Sequence, residues 1–129
     1  MSEVPLNAPD VRAWSLASGL GRVAIGLGLL AAPEQAMRAL GFTSVGSSTV
    51  AVGRVAGVRD LVLGIATLAA MNDRDRLRVA TLANAVADAG DTFAFGAALG
   101  TAERTAGLRG VVAALPAAVA GGWTAWRLS

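Results

Sequence analysis

Hydrophobic residues fill four long stretches of the chain, and short polar segments separate them. The stretches cover residues 11–32, 49–71, 77–100 and 110–126. Each is close to the roughly 20 residues that an α-helix needs to cross the hydrocarbon core of a bilayer. Their apolar residues surround the helix instead of marking one face, which suits lipid better than water. The pattern predicts an all-α fold, an integral membrane four-helix bundle formed by one domain over 1–129.

The connection between the first two stretches predicts a short interfacial helix. The segment PEQAMRALGF covers residues 33–42. Pro33 suits the first turn of a helix, and Gly41 suits its C-terminal cap. We expect Met37 and Leu40 on this helix to enter lipid.

The remaining connections, 72–78 and 101–110, carry several charges and are predicted to be solvated loops. Arginine is more frequent on the side of the termini, which favours cytoplasmic termini. The arginines near that side are Arg12, Arg74, Arg76, Arg78 and Arg127, against Arg38, Arg104 and Arg109 on the other.

Composition supports a membrane class and narrows the chemistry. The chain is 54% hydrophobic and 16% charged, with a mean hydropathy of +0.57. It contains no cysteine and no histidine, which removes thiol redox chemistry, haem ligation and ordinary zinc or copper sites. We therefore predict no cofactor and no metal. The net charge of +2 comes without a basic stripe, so a nucleic-acid partner is not indicated.

Six charged residues lie deep inside the apolar stretches. Arg22, Asp60 and Asp88 are at the middle of the first, second and third stretch, so three helices place a charge at one depth. Unpaired, six such charges would cost roughly 15 to 20 kcal/mol on insertion scales, more than the stability of most domains. They must face one another or water. The six are Arg22, Arg54, Arg59, Asp60, Asp88 and Asp91.

Helical periodicity gathers polar residues on one face of each helix. At 100° per residue, the faces of the first and third stretches form narrow polar stripes. We expect Asp91 to pair with Arg54 or Arg59, and Arg22 to pair with Asp60 or Asp88. The stripe residues are Ser15, Ser18 and Arg22 on the first stretch, and Thr81, Asn84, Asp88, Asp91, Thr92 and Phe95 on the third.

The off-centre charges indicate where the cavity between these stripes opens. Arg54, Arg59 and Asp91 share the half of the bundle that faces Pro33 and Thr101. We expect water to enter from that side, and the opposite half to be narrower and drier, because buried charges need a partner or water.

A polar cavity reached from lipid favours binding of a small lipophilic molecule. Aspartates held by arginines also suit acid–base conversion of such a molecule, by epoxide opening, cyclisation or isomerisation. Whether the protein is an enzyme is left open. The candidate catalytic residues are Asp88, Asp91, Asp60, Arg22 and Arg59, and the candidate substrate-binding residues are Arg54, Asn84, Thr81, Thr92, Phe95 and Ser18.

Three other functions fit the same residues. A proton-coupled carrier of small molecules would use Asp88 or Asp91 for the proton. A structural membrane subunit would use the Arg/Asp network only to lock helix packing. A third hypothesis uses Asn84 with both aspartates as oxygen ligands for magnesium and a prenyl diphosphate.

Small residues predict close helix packing. Gly53 and Gly57 form one GxxxG motif, and Gly96 and Gly100 form another. Packing within the chain is favoured over a dimer motif, and a homodimer is left open. The segment GRVAIGLGLLAA, 21–32, also resembles RDLVLGIATLAA, 59–70, and this alignment places Arg22 opposite Asp60.

The segments GRVAIGLGLLAAP, GVRDLVLG and DAGD resemble small uncharacterised actinobacterial four-helix membrane proteins that are loosely DoxX-like. The resemblance implies the four-helix fold and a bacterial plasma membrane. It implies no settled activity or cofactor. The expected partners are membrane lipid and a small lipophilic molecule.

Overall fold

A computed structural model describes residues 4–129, which form five α-helices and no β-strand. The prediction of an all-α fold with one short helix after the first long one is confirmed. α1 and α5 are long and apolar enough to cross a membrane, whereas charges interrupt the apolar sequence of α3 and α4. The helices are α1 Pro9–Ala31, α2 Pro33–Ala39, α3 Ser47–Ala69, α4 Arg74–Ala98 and α5 Arg104–Arg127.

Glycines bring α1 and α3 into backbone contact. A Cβ atom on Gly26 would lie 2.7 Å from the Gly57 carbonyl oxygen, and one on Gly64 would lie 2.7 Å from the Gly19 carbonyl oxygen. The early part of each helix therefore meets the late part of the other, so the two helices are antiparallel. The Gly53/Gly57 motif packs within the chain, as predicted: Gly53 faces the Met37 sulfur and Gly57 faces the Leu29 side chain. The close packing predicted for Gly96 and Gly100 is wrong, since an added Cβ at either would meet no described atom within 4 Å.

The two glycine contacts are related by the internal sequence repeat. When 21–32 is aligned with 59–70, Gly26 corresponds to Gly64, and its contact residue Gly57 corresponds to Gly19. The α1–α3 pair therefore has approximate two-fold symmetry in its packing. Arg22 and Asp60 occupy equivalent positions in this alignment and bind each other across the pair.

α4 and α5 form a second antiparallel pair. Gly107 approaches the Phe95 carbonyl oxygen, to which an added Cβ would lie at 2.8 Å, and Gly121 packs on Ala85. Contacts within the α1–α3 and α4–α5 pairs are extensive, whereas contacts between the pairs are sparse. One of the few links is the ion pair between Arg127 and Asp10 at 2.6 Å. The two pairs therefore enclose space between them.

The short helix α2 ends as its sequence predicts, but Met37 does not face outward. Gly41 has φ 101°, and the N–H groups of Gly41 and Phe42 donate to the carbonyl oxygens of Arg38 and Met37. This is a glycine-terminated helix cap. Met37 is only 5% exposed, so the expectation that it enters lipid is wrong. The capping turn folds α2 against α3, where Gly53 leaves room for the methionine sulfur.

Two segments predicted to be solvated loops are partly helical. α4 begins at Arg74 because the Asp73 side chain caps it, accepting a hydrogen bond from the Arg76 N–H at 3.0 Å. Arg74 donates to the carbonyl oxygens of Val4 and Leu128. Its guanidinium thus joins the N-terminal segment to the end of α5. α5 begins at Arg104, inside the second predicted loop.

Several polar side chains lie inside the molecule, and many large apolar side chains lie outside. Phe93 is 82% exposed. The outward-facing apolar residues come from all four long helices and include Leu20, Val62, Val86, Val112 and Val119. The buried polar residues are Ser15, Arg22, Asp60, Thr67, Thr81, Asn84, Asp88 and Thr124.

Candidate functional site

Arg22 binds carboxylates from two other helices. Its Nη1 donates to Asp60 Oδ1 at 2.8 Å, and its Nη2 donates to Asp88 Oδ1 at 2.5 Å. Nη2 also lies 3.3 Å from the Asn84 carbonyl oxygen, a third acceptor. All four residues are buried. The prediction that Arg22 pairs with Asp60 or Asp88 is confirmed for both.

Arg59 binds Asp91 with two parallel hydrogen bonds. Nη1 donates to Asp91 Oδ1 at 2.6 Å, and Nη2 donates to Oδ2 at 2.7 Å. Such bidentate pairs are among the stronger polar contacts in proteins. Arg59 also donates to Asp60 Oδ1, from Nε at 3.2 Å and from Nη2 at 3.1 Å. Asp60 Oδ1 is therefore shared by both arginines, and one network joins α1, α3 and α4.

Arg54 stands apart from this network. It is exposed and forms no ion pair with the part of the chain that the structure describes. The physical reason is helical phase, since Arg54 and Asp60 are separated by about 120° around the helix. Of the two partners predicted for Asp91, the structure selects Arg59. The charged cluster consists of Arg22, Arg59, Asp60, Asp88 and Asp91.

The side chain of Asn84 lies beside the charged cluster but forms its hydrogen bonds with residues outside it. Its Nδ2 donates to Thr67 Oγ1 at 2.9 Å and to Ser18 Oγ at 3.4 Å. Its Oδ1 is buried and has no hydrogen-bond partner among the described residues. The sequence alone did not single out Thr67, although Thr67 falls seven residues after Asp60 and thus on the same face of α3.

Two predicted site residues bond to their own helix. Thr81 Oγ1 donates to the Leu77 carbonyl oxygen at 2.7 Å, and Thr92 Oγ1 donates to the Asp88 carbonyl oxygen at 2.7 Å. Hydroxyl groups on an apolar helix commonly satisfy themselves in this way. Neither side chain lines the cavity described next.

A cavity of about 640 Å³ lies between the two helix pairs and reaches the charged cluster. Its walls are mainly apolar. Toward the end where α2 lies, it is bounded by Met37, Leu40, Phe42 and Phe95, and the two phenylalanine rings are 6.4 Å apart. The cavity thus extends to the side from which water is expected to enter. The predicted site residues that line it are Ser18, Arg22, Arg59, Asp60, Asp88, Asp91 and Phe95.

Several lining residues had no signal in the sequence. Trp14 is on α1 but is not one of its polar stripe residues, Phe42 is in the connection between the first two apolar stretches, and Arg109 belongs to a segment predicted to be a loop. Arg109 is exposed and donates from Nη1 to the Ala39 carbonyl oxygen at 2.8 Å. It thereby ties α5 to the end of α2.

The carboxylates do not form a cation cage. Among residues 4–129, no group of three or more potential metal ligands comes together. Asp88 binds Arg22, Asp91 binds Arg59 and the Asn84 amide binds Thr67. Because each side chain has a different protein partner, this arrangement does not favour the magnesium–diphosphate hypothesis.

A family model for a domain of unknown function, DUF4267, matches residues 19–126. The chain belongs to the DUF4267 family. The matched region contains the whole charged cluster, α2 and all but the end of α5. The predicted membership of a small uncharacterised family is thereby confirmed. No curated protein and no solved structure matches this DUF4267 chain.

Proposed function

We propose that this DUF4267 protein binds a small lipophilic molecule in the cavity between its two helix pairs. The observation that carries the proposal is the cavity itself, about 640 Å³ of mainly apolar space that ends on paired charges. Sites for small molecules typically combine apolar walls with a few convergent polar groups. Here the apolar walls would hold the body of the ligand, and the charged cluster would orient its polar end.

The proposal places the protein in a bilayer as a four-span bundle. Large apolar side chains face outward on all four long helices, and extended apolar surfaces mark contact with lipid or partners. α3 and α4 would cross with their charges turned inward and paired, the arrangement that intramembrane charges require. The DoxX-like, actinobacterial resemblance and the arginine bias extend this to a bacterial plasma membrane with cytoplasmic termini. Reporter fusions at Ser129 test the orientation, and an extracellular reporter would contradict it.

Acid–base conversion of the ligand is an extension of the same proposal. Asp88 and Asp91 lie about one helical turn apart and are held by different arginines. Carboxylates in distinct settings are suited to opposite roles in proton transfer. Replacing either by asparagine should abolish conversion while the purified protein stays monodisperse in detergent. Loss of folding in both variants would instead favour the purely structural subunit, whose supporting observation is the network joining three helices.

A proton-coupled carrier is the second candidate. The supporting observation is that contacts are extensive within each helix pair and sparse between the pairs. In carriers, rigid units move against each other around a central site. Proteoliposomes with an imposed pH gradient test this candidate, because a carrier would accumulate a bound ligand and a binding protein or enzyme would not.

Cavity filling tests the binding proposal. Ala56 on α3 lines the cavity, whereas Ala51 on the same helix is exposed and lies outside it. In lipid nanodiscs, a neutral environment-sensitive fluorophore should bind saturably to the unmodified protein. Ala56→Phe should weaken this binding at least about tenfold by occupying the space, and Ala51→Phe should leave it unchanged. Ala117→Phe on α5 is a second cavity variant. Equal binding by folded forms of all these variants would overturn the proposal.

A further inference from the structure

We infer that the polar end of the ligand is a protonated amine held by the free oxygens of Asp60 and Asp88. This inference rests on the proposed binding of a lipophilic molecule and specifies its chemical class. The hydrogen-bonding state of the cluster, its charge balance and the lining of the cavity each support it.

The cluster has two carboxylate oxygens without a hydrogen-bond donor among the described residues. The terminal nitrogens of Arg22 and Arg59 each donate to an aspartate. Both oxygens of Asp91 accept from Arg59. Asp60 and Asp88 instead use Oδ1 alone for their hydrogen bonds to the residues that the structure describes.

The remaining oxygens of Asp60 and Asp88 are accessible. Neither Oδ2 atom is among the fully buried atoms without a partner, so each keeps exposed surface, and both residues line the cavity. A ligand that reaches them must bring hydrogen-bond donors, since an ionised carboxylate only accepts.

Charge balance favours a cationic donor over a neutral one. The cluster contains two arginines and three aspartates, and the bidentate pair of Arg59 with Asp91 leaves Arg22 shared between Asp60 and Asp88. With all groups ionised, one negative charge is uncompensated at the two free oxygens. An ammonium group supplies one positive charge and up to three N–H donors. A hydroxyl group could donate a hydrogen bond to one of these oxygens, but it would leave the negative charge uncompensated.

The rest of the cavity suits the apolar part of such an amine. From Asp60 and Asp88 the lining continues over Ile25 and Val55 to the rings of Phe42 and Phe95. The third arginine of the lining, Arg109, donates to the Ala39 carbonyl oxygen near α2. Its charge is therefore held at the α2 end, on another helix from the aspartates.

Matched amphiphiles test the inference. The unmodified protein in phosphatidylcholine nanodiscs is loaded with the neutral fluorophore, and octylamine, octanol and octanoate compete for the site. Empty nanodiscs correct for partitioning into lipid. Octylamine should displace the fluorophore at a concentration about tenfold or more below that of octanol, because charge-assisted hydrogen bonds exceed neutral ones. Octyltrimethylammonium, which has the charge but no N–H, should fall between them.

Asparagine variants test whether the aspartates of the charged cluster cause the preference for octylamine. Asp88→Asn should remove the advantage of octylamine over octanol when both are compared with the fluorophore affinity of that variant itself. Asp75→Asn is the matched control, because Asp75 is exposed in the first turn of the same helix. If Asp88→Asn fails to fold, Asp60→Asn is the second variant. Competition by the three amphiphiles on the unmodified protein then still tests the amine inference.

The outcomes separate the two proposals. Saturable fluorophore binding with equal displacement by octylamine and octanol would overturn the amine inference and leave the binding site. Preference for octanoate would also overturn it, by assigning the polar end to an arginine. Failure of the fluorophore and every amphiphile to bind would overturn the proposed function itself.

Discussion

Arg22 connects the buried carboxylates of two other helices. It forms ion pairs with carboxylates from α3 and α4, while its own helix supplies no acidic partner nearby. Buried charges are tolerated only when they are paired and hydrogen-bonded. Removing the guanidinium would therefore leave two aspartates facing each other.

Arg22→Met should destabilise the protein by about 3 to 5 kcal/mol, the usual cost of leaving a buried partner uncompensated. Arg54→Met, at an exposed arginine, should change stability by no more than about 0.5 kcal/mol. Thermal unfolding in detergent compares the two. Adding Asp60→Asn and Asp88→Asn to Arg22→Met should recover much of the loss, since no charge then remains unpaired. Equal unfolding temperatures for the two arginine variants would refute this account.

Glu103 joins two connections that are far apart in sequence. Its Oε2 accepts from the Thr43 N–H at 2.8 Å. Its Oε1 accepts from the Ser44 N–H at 3.1 Å and the Thr43 hydroxyl at 3.0 Å. These bonds favour the ionised carboxylate, and chiefly the Thr43 N–H lowers the pKa of Glu103 below its ordinary value of 4.5. The segment 101–110, predicted to be a solvated loop, is thereby tied to the α2–α3 connection.

The Glu103 contact should weaken only in acid. Because its folded pKa is lowered, its stabilisation is fully present above pH 4.5 and is lost as pH falls through the folded pKa. The amide resonances of Thr43 and Ser44 should shift in an NMR titration with a midpoint below 4.5. Glu103→Gln should abolish that transition. A midpoint at or above the ordinary glutamate value would contradict the hydrogen-bonding argument.

At the scale of helices, glycine position decides which pairs pack closely. Gly26 and Gly64 allow α1 and α3 to approach at two related points. Other glycines on the same helices, such as Gly28, have no described neighbour within reach of a Cβ atom. The same residue type is therefore closely packed at Gly26 and faces open space two residues later, at Gly28.

Gly26→Ala should destabilise the protein by about 1 to 3 kcal/mol, because the added methyl group clashes with backbone atoms, which cannot avoid it by a change of rotamer. Gly28→Ala should be neutral or stabilising by up to about 1 kcal/mol, since alanine favours helix more than glycine does. Unfolding in detergent measures both, and Gly64→Ala should behave like Gly26→Ala. A Gly28→Ala protein as unstable as Gly26→Ala would show that helix geometry, rather than the α1–α3 contact, sets the cost.

For the whole molecule, the division into two helix pairs explains where the cavity is. Each pair is closed by small residues, and the pairs meet through side-chain bonds, among them Arg59 to Asp91 and Asn84 to Thr67. Side chains as large as arginine and aspartate hold helices farther apart than glycine contacts do. The space between the pairs therefore follows from where the chain has charges and where it has glycines.

Single cysteines on this cysteine-free chain should report the shape of that space. Phe95 is half-buried and lines the cavity, whereas Thr81 is 2% exposed and lies outside the cavity lining. In membranes, a polar thiol reagent should modify Phe95→Cys from the α2 side faster than it modifies Thr81→Cys from the side of the termini. Faster modification of Thr81→Cys would refute a cavity that opens toward α2.

The sequence by itself determined the helical class, the short second helix with its glycine cap, and the five members of the charged cluster, but it also assigned the exposed Arg54 to that cluster. Those features depend on local composition and on periodicity, since a long apolar run forms a helix and a buried charge needs a partner wherever it lies. Tertiary structure decided which residues are partners. Asp91 binds Arg59 and not Arg54, and Met37 is buried against Gly53. The hydroxyl groups of Thr81 and Thr92 bond to their own helices. Phe42, Thr67 and Glu103 form contacts that the sequence did not indicate. The physical reason is that helical phase places a side chain on a face to within tens of degrees, whereas contact requires two helices to be oriented and spaced within ångströms. That spacing is set by glycine contacts between distant parts of the chain.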